Sequence, residues 1–133
     1  MLNKLRDEIH DNAVSHGWWE EERSFGDIIA LCHSELSEAL EEYRNKKPFA
    51  YCQCYVNGDC RETDETCIQC FKDDVSQGIE HLAKPEGIAV ELADCIIRIL
   101  DYCGKEKIDI EEVIKIKHEY NKNRPYRHGG KKI

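Results

Sequence analysis

Two pairs of carboxylates, Glu35-x-x-Glu38 and Glu91-x-x-Asp94, have types and spacing that can do chemistry together. Residues three apart share one face of a helix. Two such helices packed together would bring four negative charges to one place, where they repel unless a cation sits among them. An all-oxygen ligand set suits a hard ion, Mg²⁺ or Mn²⁺, and magnesium takes phosphate oxygens readily as further ligands. Lys117, Asn121 and Arg124 follow one another along an apolar helix face, where they can hold the phosphates such a metal brings. A lone lysine there would snorkel to solvent; three polar groups in line are less easily explained that way. A single E-x-x-E says little, whereas two such pairs on separate amphipathic helices are more specific.

The second constellation is Cys52-x-Cys54-x₅-Cys60-x₆-Cys67-x₂-Cys70. Cys67 and Cys70 form a zinc knuckle, and two of Cys52, Cys54 and Cys60 would complete a tetrahedron. The other reading is a set of free thiols. A polar segment of this length lacks core material, so a structural Zn²⁺ would help to order it.

The element that must position the second acidic pair is Ile88 to Cys103. At about 100° per residue, its charged residues Glu91, Asp94, Arg98 and Asp101 fall within a sector roughly 80° wide. The rest is mostly apolar, so this helix is expected to be packed on most sides. A thin solvent-facing strip is the plainer alternative. The first acidic pair belongs to a helix opened by the capping pattern Ser24 to Asp27 and ending near Arg44. Its apolar arc runs Phe25, Ile28, Ile29, Cys32, Leu36, Ala39, Leu40 and Tyr43, with Glu35, Glu38 and Glu42 along one edge. A first helix spans Leu2 to about Ser15, with Gly17 as its stop. Trp18 and Trp19 follow, either as core anchors or, for Trp18, as a base-stacking lid. Residues 45–84 are rich in turn signals, with a short helix possible over 72–82. Gly104 ends the central helix, and Asp109 caps a last helix reaching about Lys122. The tail after it reads as non-helical. Cys32, Cys95 and Cys103 fall on apolar helix positions and read as core. His33 reads as a cap on the polar face, and His128 as a possible phosphate contact. No E-x-x-H is present, which argues against a di-iron bundle.

Composition bounds these readings. The chain has 133 residues, enough for one domain with a real core, and few prolines or glycines, which favours helix. Its net charge of −8 argues against a general nucleic-acid binder. The last nineteen residues hold seven Lys or Arg against one acid, a local patch for a small polyanion. No apolar run reaches the roughly 18 residues of a membrane span. The acidic N-terminal stretch does not resemble a signal peptide, so a cytoplasmic location is expected. Eight cysteines are then thiols or metal ligands more readily than disulfides.

The runs His33 to Arg44, Pro85 to Cys103 and Lys117 to Lys132 resemble the MazG-like, all-α nucleoside triphosphate pyrophosphohydrolases. That family carries an E-x-x-E pair on one helix and an E-x-x-D pair on the next, and the ending RPYRHGGKK is a further match. The family joins these helices by a shorter connection, so 45–84 looks like an insertion. The resemblance implies hydrolysis of a (deoxy)nucleoside triphosphate to monophosphate and pyrophosphate. It places Mg²⁺ on Glu35, Glu38, Glu91 and Asp94, and assigns substrate contacts to Lys117 and Asn121. Arg124 and Trp18 are further candidate contacts. Glu38 and Lys117 are the expected catalytic residues, Glu38 orienting or deprotonating the water. The expected fold is all-α: one antiparallel helical bundle over 1–133, with a cysteine-rich insertion at 45–84, associating as a homo-dimer or homo-tetramer. The rival reading is a non-enzymatic helical bundle that docks a partner protein through its zinc-bound insertion.

Overall fold

Ser24 opens the longest helix as its sequence implies. Its hydroxyl accepts from the Asp27 backbone N–H, and the Asp27 carboxylate accepts in return from the Ser24 N–H and hydroxyl. This reciprocal cap satisfies donors that would otherwise be orphaned. The computed structural model describes residues 1–56, 59–63, 76, 84–130 and 132. Its elements are α1 (Leu2–Ser15), α2 (Phe25–Arg44), β1 (Tyr51–Val56), β2 (Asp59–Thr63), β3 (Lys84–Glu86), α3 (Ile88–Lys105), α4 (Ile110–Lys122) and the short α5 (Arg127–Gly130). The protein is mostly helical, and no helix among the described residues is long and apolar enough to cross a membrane. The chain divides into two units, Arg23–Ile99 and Met1–Glu22 with Leu100–Ile133.

In the unit Arg23–Ile99, the buried apolar side chains among the described residues are Ile28, Cys32 and Ala39 from α2, Tyr51 from β1 and Cys95 from α3. Burial first, then the neighbouring Cys95, pushes the Cys32 thiol above its ordinary pKa. Both cysteines are core, as their helix positions imply. The start of α3 is held by the chain just past the end of α2, because Ala89 N–H donates to the Phe49 carbonyl at 2.8 Å. Gly87 makes this possible. Its φ is +109°, and an added Cβ would lie 2.7 Å from that carbonyl oxygen, so only glycine turns the corner into α3.

The segment read as turn-dominated contains a three-stranded antiparallel sheet, ordered β2-β1-β3. Val56 pairs with Asp59 and Tyr55 with Cys60, while Tyr51 pairs with Glu86. The dipeptide between β1 and β2 is Asn57-Gly58, a strong hairpin signal that the turn-rich reading did not exploit. The conformation of that dipeptide, and the helix expected over 72–82 apart from Ser76, lie outside the described residues.

In the other unit, α1 runs against the end of α3 and the start of α4. Asp109 caps α4 by accepting from Glu112 N–H at 3.0 Å, as expected. Asn3 ties α1 to that cap, donating to Asp109 Oδ1 at 2.7 Å and accepting from Glu111 N–H at 3.3 Å. Leu100 and Cys103 are buried. Gly104 does not end α3 but sits in its last turn. An added Cβ there would meet His10 Cβ at 2.5 Å, so the glycine serves close packing of α1 rather than a stop. The tail, read as non-helical, forms the single turn α5.

The central helix also departs from expectation. Leu92, Ile96, Ile97 and Ile99 remain 42–54% exposed in the single chain, so α3 is buried along one face and not on most sides.

Candidate metal centre

Helical spacing puts Glu35 on the same inward face of α2 as Cys32 and Ala39, while Glu38 falls at its edge. Accordingly Glu35 is buried and Glu38 exposed. On α3, Glu91 lies one turn before the buried Cys95 and is itself buried. Ligand oxygens of Glu35, Glu38 and Glu91 all lie within 4.8 Å of one another. Asp94 is half-buried beside them, close enough to Glu35 and Glu38 to feel both charges.

The three carboxylates are not equally satisfied. Arg98 Nε donates to Glu35 Oε1 at 2.5 Å, and the Ser34 hydroxyl donates to Glu38 Oε1 at 3.4 Å. Glu91 is 6% exposed, and among the described residues no hydrogen bond or ion pair reaches its carboxylate. Burial, followed by the charges of Glu38, Asp94, Glu86 and Glu35, raises its pKa from 4.5 to about 7. Burial and then Glu35 also raise Asp94, against the opposing pull of Arg98 and Lys84. Desolvation and like charges both disfavour the ionised form, and a cation among the oxygens reverses both. The donor set is all oxygen and its ligand atoms are already gathered, so it fits a hard divalent ion.

Sequence spacing did not reveal the cations at this edge. Arg98 was visible as part of the charged strip of α3, but its pairing with Glu35 depends on the packing of two helices. Lys84 comes from β3, where it forms an ion pair with Glu86. Tyr51, also from the sheet, is buried and donates its hydroxyl to Glu42 Oε2 at 2.9 Å.

Lys117, Asn121, Arg124 and Trp18 belong to the other unit. Lys117 and Asn121 are exposed on α4, and Arg124 follows the helix end at Lys122. Lys117 Nζ lies 4.7 Å from the centre of the Tyr120 ring and the Arg124 guanidinium 5.8 Å from it. Two open hollows adjoin that ring, one lined by Val113, Ile116 and Lys117, the other by Asn123, Arg124 and Pro125. Trp18 is exposed, whereas Trp19 donates its indole N–H to Asp101 Oδ1 at 2.9 Å and is the anchor of the pair. Asp101 also pairs with His10 Nδ1 at 2.7 Å. His33 is exposed, and the His128 side chain lies outside the described residues.

Of the proposed zinc ligands, Cys52 and Cys54 lie in β1 and Cys60 in β2, where Cys60 pairs with Tyr55 and Cys54 with Arg61. Cys67 and Cys70 lie outside the described residues. Comparison of the chain with protein-family models, with curated proteins and with solved structures finds no match in any of the three.

Proposed function

We propose that this protein is a divalent-metal-dependent nucleoside triphosphate pyrophosphohydrolase, cleaving a (deoxy)nucleoside triphosphate to monophosphate and pyrophosphate. The observation that carries this reading is Glu91: a buried carboxylate with no partner among the described residues, converging with Glu35 and Glu38. Burying such a group is costly unless something positive meets it. The resemblance to MazG-like enzymes supports it, since the same positions are the metal ligands that family would use.

Glu35, Glu38, Glu91 and Asp94 would hold Mg²⁺ or Mn²⁺, with Arg98 fixing the orientation of Glu35. A bound divalent cation supplies Lewis acidity and neutralises charge on the phosphate chain. Glu38, on the exposed edge, takes a proton from the attacking water at a carboxylate oxygen. Water attacks phosphorus, the bond to the bridging oxygen breaks, and pyrophosphate leaves. Lys117 and Asn121 are assigned to phosphate binding, Lys117 with a catalytic role, and Arg124 and Trp18 to further substrate contacts. Structural Zn²⁺ on four of Cys52, Cys54, Cys60, Cys67 and Cys70 belongs to the same proposal, as does an antiparallel bundle arrangement of the helices. The exposed Leu36, Leu40, Leu92 and Ile96 favour a homo-dimer or homo-tetramer. A thiol-rich chain suits the reducing cytoplasm.

The test is pyrophosphate release from a panel of nucleoside triphosphates with and without Mg²⁺ or Mn²⁺. Metal-dependent release that Glu91→Gln abolishes supports the reading. A protein that cleaves none of them sinks it.

A further inference from the structure

The strand that closes the cysteine-rich insertion leads directly into the helix that carries Glu91. Tyr51 is anchored to Glu42, one turn past Glu38 on the same helix edge. Its backbone pairs with Glu86, which brings β3 alongside. Gly87 then turns the chain directly into α3, whose first turn carries Glu91. β3 is therefore held at both ends, by pairing with β1 and by the Gly87 corner. It presents Lys84 and Glu86 as an ion pair, with the Lys84 side chain 70% exposed. Paired residues share a sheet face, so Glu86, and Lys84 two residues before it, lie on the face from which Tyr51 reaches Glu42. Glu86 first, with Glu91 and Asp94 adding to it, holds the Lys84 ammonium protonated.

We propose that Lys84 is a phosphate-binding residue, gripping the polyphosphate chain of a metal-bound nucleotide on the insertion side of the Glu35, Glu38 and Glu91 cluster. The proposal rests on reading that cluster as a metal–polyphosphate site. Lysine is a compact charge on a flexible stem with three donors, suited to following a phosphate oxygen. While the cluster is metal-free, its carboxylates attract the ammonium. A divalent ion among them cancels that attraction, and an ammonium beside a dication is favourable only when an anion lies between them. Arg98 is in a different position, because its guanidinium is committed to the buried Glu35. The insertion, on this account, is part of the substrate grip and not a remote appendage.

The experiment uses the full chain and calorimetry, with Mn²⁺ alone and then inorganic pyrophosphate at saturating Mn²⁺, so that no turnover is needed. Lys84→Met is expected to bind Mn²⁺ at least as tightly as wild type and pyrophosphate about tenfold more weakly, the loss of one charge-assisted contact. Lys84→Arg should restore most of the pyrophosphate affinity. Wild-type pyrophosphate binding by Lys84→Met overturns the proposal while leaving the metal reading intact. So does weakened Mn²⁺ binding in that variant, since Lys84 would then act on the metal site and not on phosphate. If the wild-type chain binds no Mn²⁺, the metal reading fails and this proposal falls with it.

Discussion

Glu91 and Glu111 each occupy the first turn of a helix, where the helix dipole favours a carboxylate. They nevertheless sit at opposite extremes. Glu111 accepts from the Met1 ammonium at 2.9 Å, from Asn3 N–H at 3.3 Å and pairs with Lys115. The ammonium contact first, then the backbone contact, pulls its pKa from 4.5 down to about 2. Glu91 is buried among other carboxylates and is pushed up to about 7. One carboxylate completes a structural clamp, and the other lies among like charges with no hydrogen bond or ion pair from the described residues. The same residue type in the same helical position is therefore pulled to opposite ends of its titration range by its through-space neighbours.

The sharpest way to break this contrast is to neutralise each side in turn. Glu91→Gln, and likewise Glu35→Gln, Glu38→Gln or Asp94→Asn, should lower steady-state pyrophosphate release by about a hundredfold or more, as loss of charge stabilisation at a reacting phosphate does. Glu111→Gln should leave the rate within about twofold and lower the melting temperature instead. Near wild-type turnover at limiting Mg²⁺ in a variant of the acidic four would remove that residue from the site.

Next in size is the frame that delivers Glu91. Gly87→Ala forces a Cβ against the Phe49 carbonyl at a positive φ. It should cost about 1–3 kcal/mol in urea unfolding and shift the entry into α3. Gly104→Ala, in the other unit, should disturb the His10 packing without changing Mn²⁺ affinity. Equal effects of the two on metal binding would blur the distinction between the regions.

Proton linkage gives a smaller effect with opposite signs on the two sides. Glu91 has a folded pKa of about 7 against 4.5 for the ordinary group. Its contribution is fully present below 4.5 and is lost as pH rises through about 7. Glu111 behaves in reverse, contributing above 4.5 and losing that contribution as pH falls towards about 2. Metal-free protein should lose thermal stability between pH 5 and 8, and Glu91→Gln should flatten that loss. Glu111→Gln should flatten only the acid limb. Because Mn²⁺ must displace the Glu91 proton, its affinity should rise about tenfold from pH 6 to pH 8, measured by titration calorimetry. A pH-independent affinity would contradict the raised pKa.

The smallest expected effect on catalysis belongs to the cysteines. Cys67→Ser with Cys70→Ser should remove about one zinc per chain by metal analysis, as expected for a four-thiolate site, yet leave measurable hydrolysis. A metal-free native protein with these thiols rapidly titratable would remove the zinc assignment.

Much of this architecture was legible from local pattern. The Ser24 to Asp27 cap, the Asp109 cap and the ends of α1, α2 and α4 fall where the sequence places them, because capping and helical periodicity are settled within a few residues. Of the sheet, only the β1–β2 hairpin had a local signal, Asn57-Gly58, and the pairing of β1 with β3 had none. The strands alternate weakly, and β1 must find β3 across a long stretch of chain. Gly104 was misread for a related reason: a stop and a close-packing site look alike until His10 is known to lie beside it.

The sequence by itself determined that Glu35 and Glu38 share a helix edge, and that Glu91, Asp94, Arg98 and Asp101 share a strip, because 3.6-residue periodicity is a local property of the backbone. Tertiary structure alone decided what became of that strip. Asp101 received Trp19 and His10, Arg98 went to Glu35, and Glu91 was buried with no such partner among the described residues. Desolvation and Coulomb interaction depend on distance through space, and distant segments of the chain set those distances.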